Sequence, residues 1–438
     1  MEYFIVDRVM QIVRFSGMVL LTILTSFFFF PFEFSFLQGI NTKMAIAGVG
    51  LPLLLVQLAK KRHFVINREF FILSLFAGIV SLIGLLSTVL NGTEDYNYAS
   101  YIISMWVWSS AAYVVIHFIR IFHGGVSIIL VCNYLIAVCV AQCLLAYIMN
   151  LYTPIKDFVD SFLGGTGFMG KNEDRLYGLG ASLDVAGTRF AAILIMIVCL
   201  LKTTITKSRK KYVKLYIGAF FIVLILGNMI SRTTIVGLVL ALGYLCYYRL
   251  RTKSNVSYVR RWLGGISLIL LPLLIYGYYS DVTFHNNLRF AFEGVFSLWE
   301  KGRWETNSNE ILKNMYVFPE NLKTWIIGDG YFDNPSLTNP NYIGHNWKWN
   351  YNDTDVGYSR FIFYFGLLGL ISFGLFFYKV MNVCVKRFPS YGVMFFLFLL
   401  LNFIIWFKVS TDIFLVFAIF LMVSKEEYEY EERYILES

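Results

Sequence analysis

The sequence predicts an all-α polytopic integral membrane protein, with about twelve transmembrane helices and both termini cytoplasmic. Three observations carry that expectation. Hydrophobic residues make up 58% of the 438 residues and aromatic ones 18%, with mean hydropathy +0.63. Charged residues are only 15%, where soluble domains carry roughly 25%. Apolar runs near the roughly 20 residues needed to cross a bilayer recur along the whole chain, and basic clusters fall on alternate connections between them.

Taken in order, the predicted spans lie near 12–32, 44–59, 69–90, 101–122, 126–150, 187–202, 213–230, 233–249, 262–280, 358–379, 391–408 and 411–424. The first run reads as a membrane anchor rather than a cleavable leader, because no small-residue cleavage site follows it. The basic connections are "KKRH" (60–63), "KTTITKSRKKYVK" (202–214), "YYRLRTKSNVSYVRR" (247–261) and "KVMNVCVKRF" (379–388). They share one side, which the positive-inside rule makes the cytoplasm. The acidic tail "KEEYEYEERYILES" joins it as a solvated end. The opposite side receives 91–100, a first loop of the site at 151–186 and a long one at 281–357. The long loop has helix-like apolar spacing around Phe290, Val295, Phe296, Leu298 and Trp299, then the turn-rich "GDGYFDNPSLTNPNYIGHN". The whole of 1–438 is expected to form one integral membrane domain.

The net charge of +9 with pI ≈ 9.0 belongs to cytoplasmic loops and membrane lipids rather than to nucleic acid. The six cysteines fall in apolar runs or beside basic loops, without a disulfide framework or a metal-ligand spacing. No cofactor or metal is expected.

The cations on the outer side need a reason. Arg189, Arg232 and Arg360 each open a helix whose N-terminus faces outward, where the macrodipole already disfavours a cation by roughly 0.3–1 kcal/mol. Arg175 stands in a glycine-rich loop, and Arg289 and Arg303 in the long one. Guanidinium groups beside helix N-termini make phosphate sites, and each arginine taken alone is equally suited to lipid headgroups. "YIGHNWKWNYNDTDVGYSR" (342–360) adds a polar rim. His345, between Gly344 and Asn346, suits a general base or a turn cap. Asp353 and Asp355 spell a DxD without further ligands at metal spacing, and Asp355 also suits a helix cap. Trp347, Trp349, Tyr351 and Tyr358 suit either an interfacial belt or sugar faces.

The layout, with "DRLYGLGASLDVAGTRFAAIL", "SRTTIVGL", "IIGDGYF", "GHN" and "DTDVGYSRFIFYFGLLGL", resembles the Wzy-type O-antigen polymerases, in the superfamily that also holds O-antigen ligases. The resemblance covers most of the chain. It implies a metal-independent glycosyltransferase of the bacterial inner membrane with its site on the periplasmic side. Its donor and acceptor would be glycans on undecaprenyl pyrophosphate, and a chain-length regulator is a conceivable partner. It further implies one inverting displacement. His345 or Asp355 would take the acceptor proton, and Arg175 and Arg232 would stabilise the departing pyrophosphate. Arg189, Arg289, Arg303, Arg360, Tyr358, Asn346 and Asp353 would bind substrate. The competing readings are an O-antigen ligase with lipid A core as acceptor and, further off, a lipid-linked oligosaccharide flippase.

Overall fold

A computed structural model describes residues 2–60, 65–164, 175–206, 212–251, 257–339 and 342–429. The expected basic clusters at 61–63, 207–211 and 252–256, and most of the acidic tail, lie outside these residues.

The described residues form helices and no strand, apart from three isolated bridges. The α-helices are α1 (Glu2–Phe29), α2 (Thr42–Lys60), α3 (Val65–Asn91), α4 (Tyr101–His123), α5 (Ile128–Leu151), α6 (Thr153–Phe162), α7 (Leu183–Thr206), α8 (Val213–Ile230), α9 (Thr234–Arg251) and α10 (Ser257–Ser280). Five short ones follow: α11 (Val282–Ala291), α12 (Glu293–Lys301), α13 (Asn307–Asn314), α14 (Leu322–Ile327) and α15 (Pro335–Thr338). Then come α16 (Gly357–Arg387), α17 (Gly392–Ile405) and α18 (Phe414–Leu421). The long loop therefore does contain short helices.

Among the described residues, seven helical stretches are long and apolar enough to cross a membrane, within α1, α3, α4, α5, α7, α8 and α16. Four shorter apolar helices, Thr42–Gln57, Thr234–Tyr247, Gly264–Ser280 and Pro389–Ile405, stand where further spans are predicted. The last predicted span, 411–424, is only eight helical residues long in α18. Predicted and observed ends differ by a few residues, except at α1, which begins well before the predicted position 12, at Glu2, and at α16, which runs on to Arg387.

The chain folds as two compact units. The first comprises Met1–Ala59, Val107–Ala291 and Ala418–Ser438. Its centre is α7, whose run from Phe190 to Leu201 is buried on every side, as expected of a helix that is apolar all round. Small residues let neighbours close on it. A Cβ on Gly237 of α9 would sit 2.3 Å from the Ala191 Cα, so the two backbones touch with no side chain between.

The second unit comprises Lys60–Trp106 and Phe292–Phe417. Its core is aromatic. Tyr98 meets the rings of Phe361, Phe365 and Phe373 at 5.4–5.5 Å, and Trp406 stacks on Phe373 at 5.2 Å and 14°. Such pairs add roughly 0.5–1.5 kcal/mol each beyond their buried area.

Candidate functional site

In the first unit, a turn and a loop bring two cations together. Helix α8 ends where the Ser231 N–H bonds back to the Gly227 carbonyl, and three residues later α9 begins. That turn is anchored to the start of α7 through Asp184, whose Oδ1 accepts from Ser231 Oγ at 3.0 Å and from Thr233 Oγ1. The preceding Leu183 takes left-handed backbone, φ 51°, a sparsely populated conformation for leucine. The Leu176 amide donates to the Met229 carbonyl at 3.2 Å and fixes the 175–176 loop beside the same turn. Arg232 and Arg175 consequently both reach the Phe290 ring of α11, with guanidinium carbons 4.5 and 4.8 Å from its centroid.

Each cation–π contact is worth roughly 0.5–2 kcal/mol, but two like charges on one ring repel. Arg232 registers this: its pKa is lowered to about 10 by burial first and by the charge of Arg175 second, against the opposing pull of Asp184. A depressed pKa means that the fold disfavours the charged form. Arg232 therefore costs stability at neutral pH, and the cost lifts only as pH rises from about 10 towards the ordinary arginine value. We expect Arg232→Gln to melt at or above the wild-type temperature at pH 7, the difference narrowing above pH 10, as read by differential scanning fluorimetry.

Two other candidate arginines of this unit, Arg189 and Arg289, meet different rings and hydroxyls. Arg189 lies against the rings of Phe29 and Phe30 at 5.7 and 5.4 Å. Because α7 begins at Leu183, Arg189 belongs to the second turn rather than the expected first. Arg289 Nη1 donates to the Tyr278 hydroxyl at 3.2 Å, and His285 stacks on the Tyr278 ring at 4.0 Å.

In the second unit the governing feature is a break in α16. Phe365 and Gly366 leave helical geometry, Gly366 with φ 66° and ψ −170°. The carbonyls set loose by the break are taken up locally. The Phe363 carbonyl accepts from the Asp329 amide at 2.6 Å; the Tyr364 carbonyl accepts from the Gly330 amide at 3.1 Å and from Ser87 Oγ at 2.6 Å. "GDG" (328–330) can approach this closely only as glycines. Gly328 and Gly330 have φ of 77° and 74°, and a Cβ on Gly328 would meet the Tyr364 carbonyl at 2.5 Å.

Arg360, in the first turn of α16, fastens the next loop. Its Nη1 donates to Ser410 Oγ at 2.9 Å, and its Nη2 donates to the Phe332 carbonyl at 2.9 Å and to Asp333 at 3.1 Å. Asp95 holds the same loop from the other side, accepting the Phe332 and Asp333 amides at 2.7 and 3.0 Å. With its side chain only 11% exposed, Arg360 ties protein to protein. Lysine keeps the charge, but its donors sit on one nitrogen and cannot reproduce the fork by which Nη1 and Nη2 reach separate acceptors. We expect Arg360→Lys to lose roughly 1–3 kcal/mol, measured by thermal unfolding, with activity falling only in proportion to folded protein.

Residues 342–360 divide between support and exposure. Tyr358 is support: its hydroxyl donates to the Phe403 carbonyl at 3.0 Å and its amide to that of Trp406. Asp353 Oδ1 accepts the Lys348 and Trp349 amides at 2.7 and 3.0 Å and so closes a turn. Asp355 Oδ1 accepts from Asn350 Nδ2 at 2.6 Å; the cap position of α16 falls on Val356, which supplies no side-chain bond. His345 is exposed, its ring 4.2 Å from that of Trp347. Asn346 Oδ1 accepts from Ser336 Oγ at 2.8 Å. Arg303, also exposed, pairs with Glu305 at 2.8 Å.

The structure thus joins Arg175 to Arg232, and groups His345 with Asn346 and Trp347 in the second unit. Arg303 and Arg360 already have carboxylate partners there. Sequence reading missed the role of Asp184, which is visible only as a carboxylate inside "GASLDVAG", and the shared ring of Phe290. Among the described residues no group of three His, Cys, Asp or Glu gathers at metal-binding distance.

No protein-family model, curated protein or solved structure matches the chain. Its fold defines a class all the same: an all-helical, multi-pass membrane protein.

Proposed function

We propose that the chain is a membrane glycosyltransferase. It would polymerise undecaprenyl-pyrophosphate-linked oligosaccharide repeats on the outer face of the bacterial inner membrane, as the resemblance to Wzy-type polymerases implies. The observation that supports this reading best is the Arg175–Arg232 pair on Phe290. Two guanidinium groups held against their mutual repulsion are complementary to an anion of more than one charge, and α9 begins two residues after Arg232. Lipid pyrophosphate is such an anion.

In the proposed reaction, an acceptor hydroxyl oxygen attacks the anomeric carbon of the donor. The bond from that carbon to the pyrophosphate oxygen breaks, and the electron pair leaves with the lipid pyrophosphate. The hydroxyl proton passes to a base, a part that the resemblance alone gives to His345 or Asp355. Arginine charge stabilises the leaving group in the transition state, where one well-placed donor is worth roughly 10²–10³ in rate. A single base suits an inverting displacement, in contrast to the carboxylate pair of a retaining glycosidase. O-antigen ligase chemistry differs only in the acceptor.

The interrupted α16 favours a second reading, a lipid-linked oligosaccharide transporter, since broken helices are a hallmark of such proteins. Transporters leave the freed carbonyls for an ion or substrate, however, and here Asp329, Gly330 and Ser87 occupy them.

Complementation of a polymerase-deleted strain tests the reading. A restored glycan ladder supports polymerisation; ladder restored only in a ligase-null strain, on lipid A core, makes the protein a ligase; neither makes it no transferase of this kind. A binding measurement isolates the cation pair. Inorganic pyrophosphate should raise the melting temperature of the purified protein by a few degrees, and Arg232→Gln should abolish that shift.

A further inference from the structure

The second unit also carries a cluster of rings that leaving-group chemistry does not use. The Trp347 ring lies 4.2 Å from His345, tilted 57°, and 5.7 Å from Tyr351. Tyr331 continues the row, 5.2 Å from Tyr351 and 5.8 Å from Tyr342. Trp349, two residues on, is 62% exposed.

These rings are positioned by hydrogen bonds rather than by burial in the core. Asn334 Nδ2 donates to the Trp347 carbonyl at 2.6 Å, and Asp353 holds the Lys348 and Trp349 amides. The Tyr351 hydroxyl donates to Asp329 Oδ2 at 3.3 Å, and Asp329 is itself fixed by the break in α16. Burial, and then the Asp329 charge, push the Tyr351 pKa up, so that the phenol remains a donor. Closing the turn places two consecutive residues, Asn352 (φ 59°) and Asp353 (φ 49°), in left-handed backbone, which Asn and Asp adopt more readily than other non-glycine residues.

We propose that this row is a saccharide platform. A pyranose has an apolar C–H face and a rim of hydroxyls. The faces of Trp347 and His345 match the first, and the interleaved Asn346 and Lys348 match the second. Rigid aromatic rings supply contact area at low entropic cost, with a few placed polar groups to fix orientation. The row stands just before the span of α16, where a belt would also stand; what separates it from a belt is that its own loop fixes it, through Asn334 and Asp353. The proposal deepens the glycosyltransferase reading by naming where the acceptor glycan is held, and rests on it for that role.

The test is saturation-transfer NMR on the detergent-solubilised full chain with a panel of short, lipid-free neutral oligosaccharides. We expect saturation confined to the C–H face of one ring. Trp347→Ala should weaken binding about ten-fold or more, Trp349→Ala and Asn346→Ala less so, and Trp299→Ala, 90% exposed on α12, not at all. If Trp347→Ala does not fold, the two exposed positions carry the test. Absence of binding across the panel overturns the proposal, as does affinity unchanged in the foldable variants. Quenching of Trp349 by brominated lipid also overturns it and makes the row a belt. Arg232→Ala should keep saccharide affinity while losing the ladder. If that variant instead keeps its ladder while Trp347→Ala loses the sugar, the leaving-group mechanism falls and the platform stands.

Discussion

Arg232→Ala is expected to collapse the glycan ladder to a single repeat in a complemented polymerase-deleted strain, at undiminished protein level. The two halves of this expectation come from the same geometry. Arg232 shares the Phe290 ring with Arg175 and is held below its ordinary pKa, to about 10, by burial and by that neighbour. Removing it relieves burial of a charge and repulsion from Arg175 while giving up the Phe290 contact and the pull of Asp184, so the folded protein should change little in amount. On the proposed reaction, removing it also halves the arginine charge offered to the leaving pyrophosphate, which should slow transfer by roughly 10²–10³-fold. Arg175→Ala should act in the same direction. If Arg232 serves the proposed reaction, it is an instance of the ordinary trade between stability and activity. If loss of the ladder came with loss of protein, the arginine would be structural.

Gly366→Ala is expected to have the largest effect on folding. The position combines φ 66° with ψ −170°, a region open almost only to glycine, and an added Cβ would lie 2.1 Å from the Ile326 carbonyl oxygen. That obstacle is backbone, which no rotamer change can clear. The break would have to move, and with it the contacts of Asp329 and Gly330 with the freed carbonyls. A loss of about 4 kcal/mol or more is expected, read as failure to accumulate or as a collapsed melting temperature. Gly374→Ala, in the same helix with nothing nearer than Phe403 at 3.8 Å, is the control. It should be neutral or stabilising by roughly 0.5–1 kcal/mol.

Hydropathy made most of the helices legible. The predicted span 213–230 matches α8, Val213–Ile230, because composition alone decides which residues favour lipid. The break in α16 was not legible. Phe365 and Gly366 sit in an unbroken apolar run, and what stops the helix is the distant "GDG" loop, whose amides compete for its carbonyls. The arginines were legible as anomalies of charge, but their partners were not. Arg360 and Arg232 look alike in sequence, each beside a helix start. Only the fold assigns one to Asp333 and the other to a ring shared with Arg175. Tyr358, placed in the polar rim by sequence, is committed to the Phe403 carbonyl, a partner 45 residues away.

The most direct measurement is a reconstitution. Purified protein in proteoliposomes would receive only the undecaprenyl-pyrophosphate-linked repeat, with released undecaprenyl pyrophosphate and glycan length followed together. One undecaprenyl pyrophosphate released per glycosidic bond formed, with glycans of increasing length still on the carrier, is the expected result. No release and no elongation, or release only when lipid A core is supplied, would contradict the polymerase reading.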